Sequence, residues 1–236
     1  MTRLHHFENC FSTNDEILSV LNEDESTAVF TFNQTKGRGQ YGNIWKVIPN
    51  QNLAYSLALK TSKVNISDTF LNYYTAIIVR DFLANLTNAH AKIKWPNDII
   101  LNGKKVCGIL IEKKKINHEE YYVIGIGINV LQSDFSNLPK AGSVLSVTSL
   151  SFDLTAFTNQ FHQYLISRME DMDSEEIILN TYNNSLFRKD EISVFQKNDL
   201  RQNGIIKNAD KNGFLWIDLE NDGLQKFFHK EIELLY

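Results

Sequence analysis

Cysteine is scarce in this sequence. Cys10 and Cys107 are the only two, far apart and outside any Cys-x-x-Cys or Cys/His cluster. That argues against a structural zinc site and a disulfide framework, and a reducing compartment is the simpler reading. No apolar run approaches the length of a membrane span, and the stretch Met1-Thr2-Arg3-Leu4-His5-His6-Phe7 lacks the apolar centre of a secretory signal. A cytoplasmic protein with no membrane partner is expected. Basic charge is not in excess either: 24 lysines and arginines stand against 28 acids, a formal net charge of −4. Phosphate neutralisation dominates nucleic-acid affinity, so an acidic chain is a poor DNA binder and no DNA partner is expected.

What is present is ordinary globular material, 43% hydrophobic and 22% charged, enough for one large domain or a large and a small one. Ser12-Thr13-Asn14-Asp15-Glu16 opens a short helix: the first three supply an N-cap, and the acids suit the positive end of the helix dipole. The pattern predicts strands over 27–32 and 53–59, separated by a polar loop over 33–52; loops of that length in a compact domain are often functional. A helix over 67–86 would bury Phe70, Leu71, Tyr74, Ile77, Ile78, Phe82 and Leu86 on one face. Strands follow over 92–95, 99–101 and 106–111, with Asn102-Gly103 as a hairpin turn, then a strand over 121–130 and helices near 153–169 and 174–183. From about Phe187 the texture changes to short strands at 193–195, 204–206, 214–218 and 226–228, separated by turns. The expected architecture is α+β: a mixed domain over 1–186 and a small β-barrel over 187–236.

One loop stands out. Gly37, Gly39 and Gly42 in Gly37-Arg38-Gly39-Gln40-Tyr41-Gly42-Asn43-Ile44-Trp45 spell G-x-G-x-x-G. A dinucleotide fingerprint needs a helix to begin inside the motif. Here Pro49 and several Asn and Gln residues follow without helical period, which argues against that reading. A plain surface loop would not explain Arg38 and Trp45. Glycines admit close backbone approach and aim N–H groups at an anion, Arg38 adds a fork of charged donors, and Trp45 a flat face. Together these suit a phosphate ester carrying an aromatic base.

The loop resembles the signature G-R-G-[RQ]-x-G-x-x-W of biotin protein ligases, and four further blocks occur in the family's order. They are Ser12-Thr13-Asn14, Lys94-Trp95-Pro96-Asn97-Asp98, the segment from Gly103 through Lys105 and Gly108 to Glu112, and Gly125-Ile126-Gly127-Ile128-Asn129. The resemblance implies a class II synthetase-like biotin/lipoyl ligase catalytic domain, a mixed sheet with flanking helices, followed by an SH3-like C-terminal domain. Some members carry an N-terminal helix-turn-helix; with Ser12 so near Met1, a short form without it is expected. The implied reaction joins biotin to ATP as biotinyl-5′-AMP, then passes biotin to a lysine in the acceptor domain of a biotin-dependent carboxylase. Biotin and ATP are substrates and Mg²⁺ accompanies the triphosphate. The protein must position two anions and offset charge on phosphorus; no protein nucleophile is needed.

The same resemblance assigns roles. Lys105 and Arg38 are the catalytic cations, although on sequence alone Lys105 reads as a solvated hairpin lysine. Ser12, Thr13, Asn14, Gln34, Arg38, Gly39, Gln40, Lys105 and Gly108 are expected to bind biotin. Ser12-Thr13-Asn14 reads equally as a helix cap, and Gln34 as a solvated loop residue. Gly37, Arg38, Trp45, Asn97, Asp98 and Asn129 are expected at the nucleotide. Trp45 reads equally as a core tryptophan, and Asp98 as a loop-holding residue with Mg²⁺ near it as the alternative. Trp95 is expected to be structural. Gln40 departs from members with a second arginine there, and the expected consequence is weaker retention of the adenylate. A lipoate ligase of the same fold, or a binder without catalysis, are the competing functions; monomer and homodimer are both compatible.

Overall fold

The computed structural model describes residues 2–21 and 26–236; Met1 lies outside them. In chain order the elements are β1 (Arg3–His6), α1 (Thr13–Glu16), β2 (Thr27–Thr31), β3 (Gly37–Arg38), β4 (Ile44–Trp45), β5 (Asn52–Lys60), α2 (Asp68–Thr87), β6 (Ala91–Lys94), β7 (Asp98–Leu101), β8 (Lys104–Ile116) and β9 (Glu119–Asn129). Then come α3 (Val144–Thr148), α4 (Leu154–Glu170), α5 (Glu175–Asn184), β10 (Ile192–Lys197), β11 (Leu200–Ala209), β12 (Leu215–Leu219), β13 (Gly223–Phe227) and β14 (Glu233–Leu235).

A seven-stranded sheet runs in the order β1-β2-β5-β9-β8-β7-β6. Among the described residues only the β1–β2 pair of this sheet is parallel, so the sheet is mixed, as expected. Helices α2 and α4 cover one face. Strand alternation sends Leu53, Tyr55, Leu57, Cys107, Ile109, Ile124, Ile126 and Ile128 into that core. Helix α2 is buried more widely than one stripe, adding Tyr73, Ala76, Val79 and Leu83, because α4 and α5 pack on its flanks. Helix α1 lies on the opposite face, over a smaller core of Ile17, Val29, Ala58, Tyr121 and Val123.

The C-terminal strands form a five-stranded antiparallel sheet, β13-β12-β11-β10-β14, in agreement with the SH3-like expectation. Among the described residues its pairing runs in a line and does not close. This sheet shares the main core, which continues through Leu186 into Phe195, Ile206 and Leu215. Asn183, at the end of α5, clips that helix to the sheet by bonding both the N–H and the carbonyl of Ala209.

Besides β3 and β4, which fall in the expected loop over 33–52, three elements were not foreseen. Strand β1, Arg-Leu-His-His, has no apolar alternation and is held by backbone pairing to β2. Helix α3 is short and rich in β-branched residues, and forms because Ser143 and Ser146 make a reciprocal capping box. Strand β14 has three residues, too few for a periodic signal. The expected cap at α1 also needs correction: Ser12 has extended N-cap backbone, but its side chain makes no cap hydrogen bond.

Candidate active site

The helix-free part of the large sheet's second face is lined with small side chains. Registered pairs place Ala54, Gly127, Gly108 and Asp98 in one row across β5, β9, β8 and β7, and Ser56, Gly125 and Leu110 in the next. Two glycines two apart on one strand share a face, so Gly125 and Gly127 leave a trough. A Cβ on Gly125 would overlap the Asn14 amide, and one on Gly127 the Trp45 indole. Over this floor lies the glycine loop. It is not a structureless loop but a small hairpin in which β3 pairs with β4, Gly37 opposite Trp45 and Arg38 opposite Ile44. Tyr41 and Gly42 turn it with positive φ of 55° and 79°. Gly37 is needed because a side chain there would strike the Trp45 carbonyl. The Gly39 N–H, expected to face an anion, instead donates to the Asn43 carbonyl at 2.7 Å.

Between hairpin and floor is a cleft of about 230 Å³. It is smaller than typical ligand sites of ~300–1,000 Å³ because the Trp45 indole fills part of its floor. It gathers Ser12, Thr13, Asn14, Gln34, Arg38, Gly39, Gln40, Trp45, Asn97, Asp98, Lys105 and Gly108. Gly37 and Asn129 are absent from its lining. Asn129 is buried and donates to the Gly142 carbonyl at 3.0 Å. Asn97 lines the cleft, but its amide nitrogen is spent on the Ile109 carbonyl.

Lys105 reaches the cleft through an irregularity. Plain alternation along β8 would put it on the core face with Cys107 and Ile109. A bulge opposite Ile99 and Ile100 makes Val106 and Cys107 consecutive core residues and turns Lys105 to the cleft face. There its Nζ meets Asp98 Oδ1 at 2.7 Å, and the Trp45 ring lies 5.8 Å away. Asp98 is the one carboxylate in the cleft lining, against Arg38, Lys94 and Lys105.

The other end is lined by neutral polar groups, several of them joined by hydrogen bonds. Thr13 donates its N–H to Gln34 Oε1 at 2.8 Å and its hydroxyl to the same oxygen at 3.2 Å. The Ser56 hydroxyl lies 2.8 Å from Thr13 Oγ1 and 2.6 Å from Asn14 Oδ1, and Asn14 Nδ2 donates to Glu112 Oε2 at 2.8 Å. Glu112 also accepts from Arg38, at 3.2 and 3.3 Å. This chain of contacts therefore starts at one end of the hairpin, at Gln34, and returns to it at Arg38.

Arg38 is held by two carboxylates. Asp15 takes its guanidinium with both oxygens and Glu112 takes it from below, while Lys114 adds a contact to Asp15 at 2.7 Å. The Arg38 hydrogen bond is the main reason the Asp15 carboxyl is lowered to about 2. Both cysteines are buried, and burial raises the Cys10 thiol to about 11 and Cys107 higher still, so neither is a thiolate nucleophile. Among the described residues no group of three or more His, Cys, Asp or Glu converges to hold a metal ion.

Residues 9–129 match the biotin/lipoate A/B protein ligase family. The chain belongs to that family. The matched span holds every block of the cleft from Ser12 to Asn129. Among curated relatives, the bifunctional ligase/repressor BirA of Bacillus subtilis is 35% identical over 112 residues, 47% of this chain and 34% of its own. The biotin–[acetyl-CoA-carboxylase] ligase of Paracoccus denitrificans is 35% identical over 137 residues, 56% of this chain and 55% of its own. The chain thus spans about a third of the first of these two relatives and about half of the second. A solved structure of Aquifex aeolicus biotin protein ligase with biotin and ATP superposes with a TM-score of 0.81 at 22% identity, over 99% of this chain and 98% of that one. That likeness establishes the fold throughout, the C-terminal sheet included.

Several residues in or directly beneath the cleft escaped the sequence reading. Ser56 sits in an apolar strand and shows only by its register opposite Gly125. Gly125 and Gly127 were visible as a G-x-G on a strand, and their common face was the available signal. His229 lies in the turn between β13 and β14 and reaches the cleft from the other sheet, which no local pattern could reveal.

Proposed function

We propose that the chain is an ATP-dependent biotin protein ligase that makes biotinyl-5′-AMP from biotin and ATP and passes biotin to a specific lysine of a biotin carboxyl carrier domain. The observation that carries this reading is the juxtaposition within one cleft of a neutral hydrogen-bonding end, Ser12, Thr13, Asn14 and Gln34, backed by the buried Ser56 hydroxyl, with the cation Lys105. Biotin's ureido ring offers one carbonyl and two N–H groups, and its carboxylate needs a positive partner. A lipoyl dithiolane has no such donors, so polar groups in this floor would go unanswered. That favours biotin within a family that also contains lipoate ligases. The solved relative of the same fold, which holds biotin and ATP, supports the substrate pair.

In the first step a biotin carboxylate oxygen bonds to the α-phosphorus and the bond to the bridging oxygen breaks. Pyrophosphate departs with the electron pair. Lys105 sits beside Asp98 and can exchange that carboxylate for the biotin carboxylate and the α-phosphate, where negative charge accumulates. Mg²⁺ enters with ATP as part of the substrate, held by phosphate oxygens and water, with Asp98 as the nearby carboxylate. In the second step the acceptor lysine's free amine attacks the acyl carbon, AMP leaves, and the amine loses its proton. Arg38 and the hairpin lie over this site, and Trp45 offers the adenine a flat partner. The division into a catalytic unit, 1–186, and a C-terminal unit, 187–236, belongs to the same proposal, as do a cytoplasmic setting and either a monomer or a homodimer. Among the described residues no helix is long and apolar enough to cross a membrane.

The test is transfer of labelled biotin or labelled lipoate to a purified carboxyl-carrier domain, with and without ATP. Label is expected in the carrier only with biotin and ATP together. Equal transfer of lipoate, or no transfer of biotin, would overturn the reading.

A further inference from the structure

Strand β9 stops at Asn129, one residue past its last rung with β8, where Ile128 faces Cys107. A straight continuation would lay its next residues along Val106 and Lys105. Instead the chain turns out of the sheet over 130–143, and the far end of that segment returns to the vacated place. Lys105 donates its N–H to the Lys140 carbonyl at 2.9 Å and accepts from the Gly142 N–H at 3.0 Å, a parallel bridge centred on Ala141. On its other side Lys105 faces Ile100 of β7, at the bulge that turns its side chain to the cleft. The backbone of Lys105 is therefore held between one strand and one loop, not between two strands.

Three buried polar side chains steer this departure and return. Asn52 opens β5 opposite Asn129 and is fully withdrawn from solvent. Its Oδ1 accepts from the Val130 N–H at 3.2 Å and its Nδ2 donates to Gln132 Oε1 at 2.7 Å, which draws 130–132 away from the sheet. Gln132 passes the hold on. Its side chain donates to the Asp134 carbonyl at 2.8 Å, and its own carbonyl accepts from the Ser143 hydroxyl. Ser143 also caps α3, so the residue next to Gly142 is fixed from both directions. Gly142 itself has no room for a side chain, since a Cβ would press on Val147 and Lys104. A buried amide pair costs desolvation that an apolar pair would not. What it adds is direction, because each bond forms in one geometry. Asn52, Gln132 and Ser143 are all outside the cleft lining.

Building on the ligase reading, we infer that Asn52, Gln132 and Ser143 are positioning residues for Lys105. They hold 140–142 against its backbone, and so hold its ammonium where the carboxylate and the α-phosphate meet. They touch no substrate and act only through Lys105.

The experiment compares the full chain as wild type, Gln132→Met and Ser143→Ala, each with Lys105 present and as Lys105→Ala. Met keeps the length of Gln132 and removes its amide; Ala removes the Ser143 hydroxyl. Two quantities are read: the biotin-dependent turnover of labelled pyrophosphate into ATP, and amide hydrogen exchange at Lys105 and Gly142. With Lys105 present, kcat should fall about tenfold in either variant while the KM values for biotin and ATP move less than about twofold. In the Lys105→Ala background the same substitutions should cost less than about twofold, because nothing remains for them to position. The Lys105 and Gly142 amides should exchange at least about tenfold faster, with β5 and β9 core amides as protected as in wild type. Undiminished kcat overturns the inference. So does an equal loss with and without Lys105, or a uniform loss of amide protection, each the mark of a merely structural role. Faster exchange of the Lys105 amide in the variants of a chain without biotin-dependent turnover would keep the hold on the Lys105 backbone and remove the ligase reading. Biotin-dependent turnover that both variants leave unchanged would do the reverse.

Discussion

Two groups of charge flank the cleft and are built in opposite ways. On the hairpin side Arg38 and Lys114 share two carboxylates, Asp15 and Glu112, in a cross-linked array. On the other side, among the described residues, Lys105 has Asp98 alone and Lys94 makes no ion pair. The difference separates two jobs that look alike in the sequence. A cation whose charge is already answered holds structure, and must give up a partner before it can bind substrate. A cation that lacks an answer is free to meet an incoming anion. Arg38 and Lys105, expected as a matched catalytic pair, are therefore held differently: Arg38 ties the hairpin down through two carboxylates, and Lys105 has only one to release.

The largest effect that would sharpen this contrast is at Lys105. Lys105→Ala should lower adenylate formation by about 10²–10³-fold with the far-ultraviolet circular dichroism unchanged. Near-normal turnover would mean that the bulge in β8 aims the wrong residue. Ser56→Ala comes next. It removes the hydroxyl between Thr13 and Asn14, and the KM for biotin should rise about five- to tenfold with kcat little changed. Gly127→Ala should displace the Trp45 indole from the sheet, seen as a shift in tryptophan emission and a stability loss of about 1–3 kcal/mol.

Smaller effects are expected on the hairpin side. Asp15→Asn loosens one hold on Arg38, and the adenylate should then dissociate about two- to threefold more slowly because Arg38 is easier to recruit. Gln40→Arg should act in the same direction by adding a cation to the hairpin; equal or faster release from that variant than from wild type would remove Gln40 from the account. The smallest effect is in pH. The Asp15 carboxyl is depressed to about 2, so its pairing stabilises the fold above the unfolded value near ~4 and is lost as pH falls through about 2. With both side chains over a third exposed, the contribution is at most about 1 kcal/mol, and a denaturant midpoint measured between pH 5 and 2 should drop less in Asp15→Asn than in wild type.

Much of the fold was legible because its elements are long and patterned. The α2 stripe, the β7–β8 turn at Asn102-Gly103 and the alternation of β9 each carry their own signal. Elements held mainly by a neighbour's backbone, such as β1, carried none. The site divides the same way. Ordered blocks located Arg38, Asp98 and Lys105, but Asn129 proved to be a buried clip on Gly142, outside the cleft lining. Partners that depend on register or on the second sheet, Ser56 and His229, had no local mark, while Lys94 and Glu112 stood inside quoted blocks with no role assigned. The bulge that turns Lys105 to the cleft was equally silent, since Lys104, Lys105 and Val106 read as an ordinary strand start.

The most direct measurement is biotin-dependent exchange of labelled pyrophosphate into ATP, compared across wild type, Lys105→Ala and Asp15→Asn. The account predicts exchange that requires biotin, falls at least about a hundredfold in Lys105→Ala, and is retained in Asp15→Asn. Exchange that needs no biotin, or that survives loss of Lys105 and vanishes with Asp15, would contradict it.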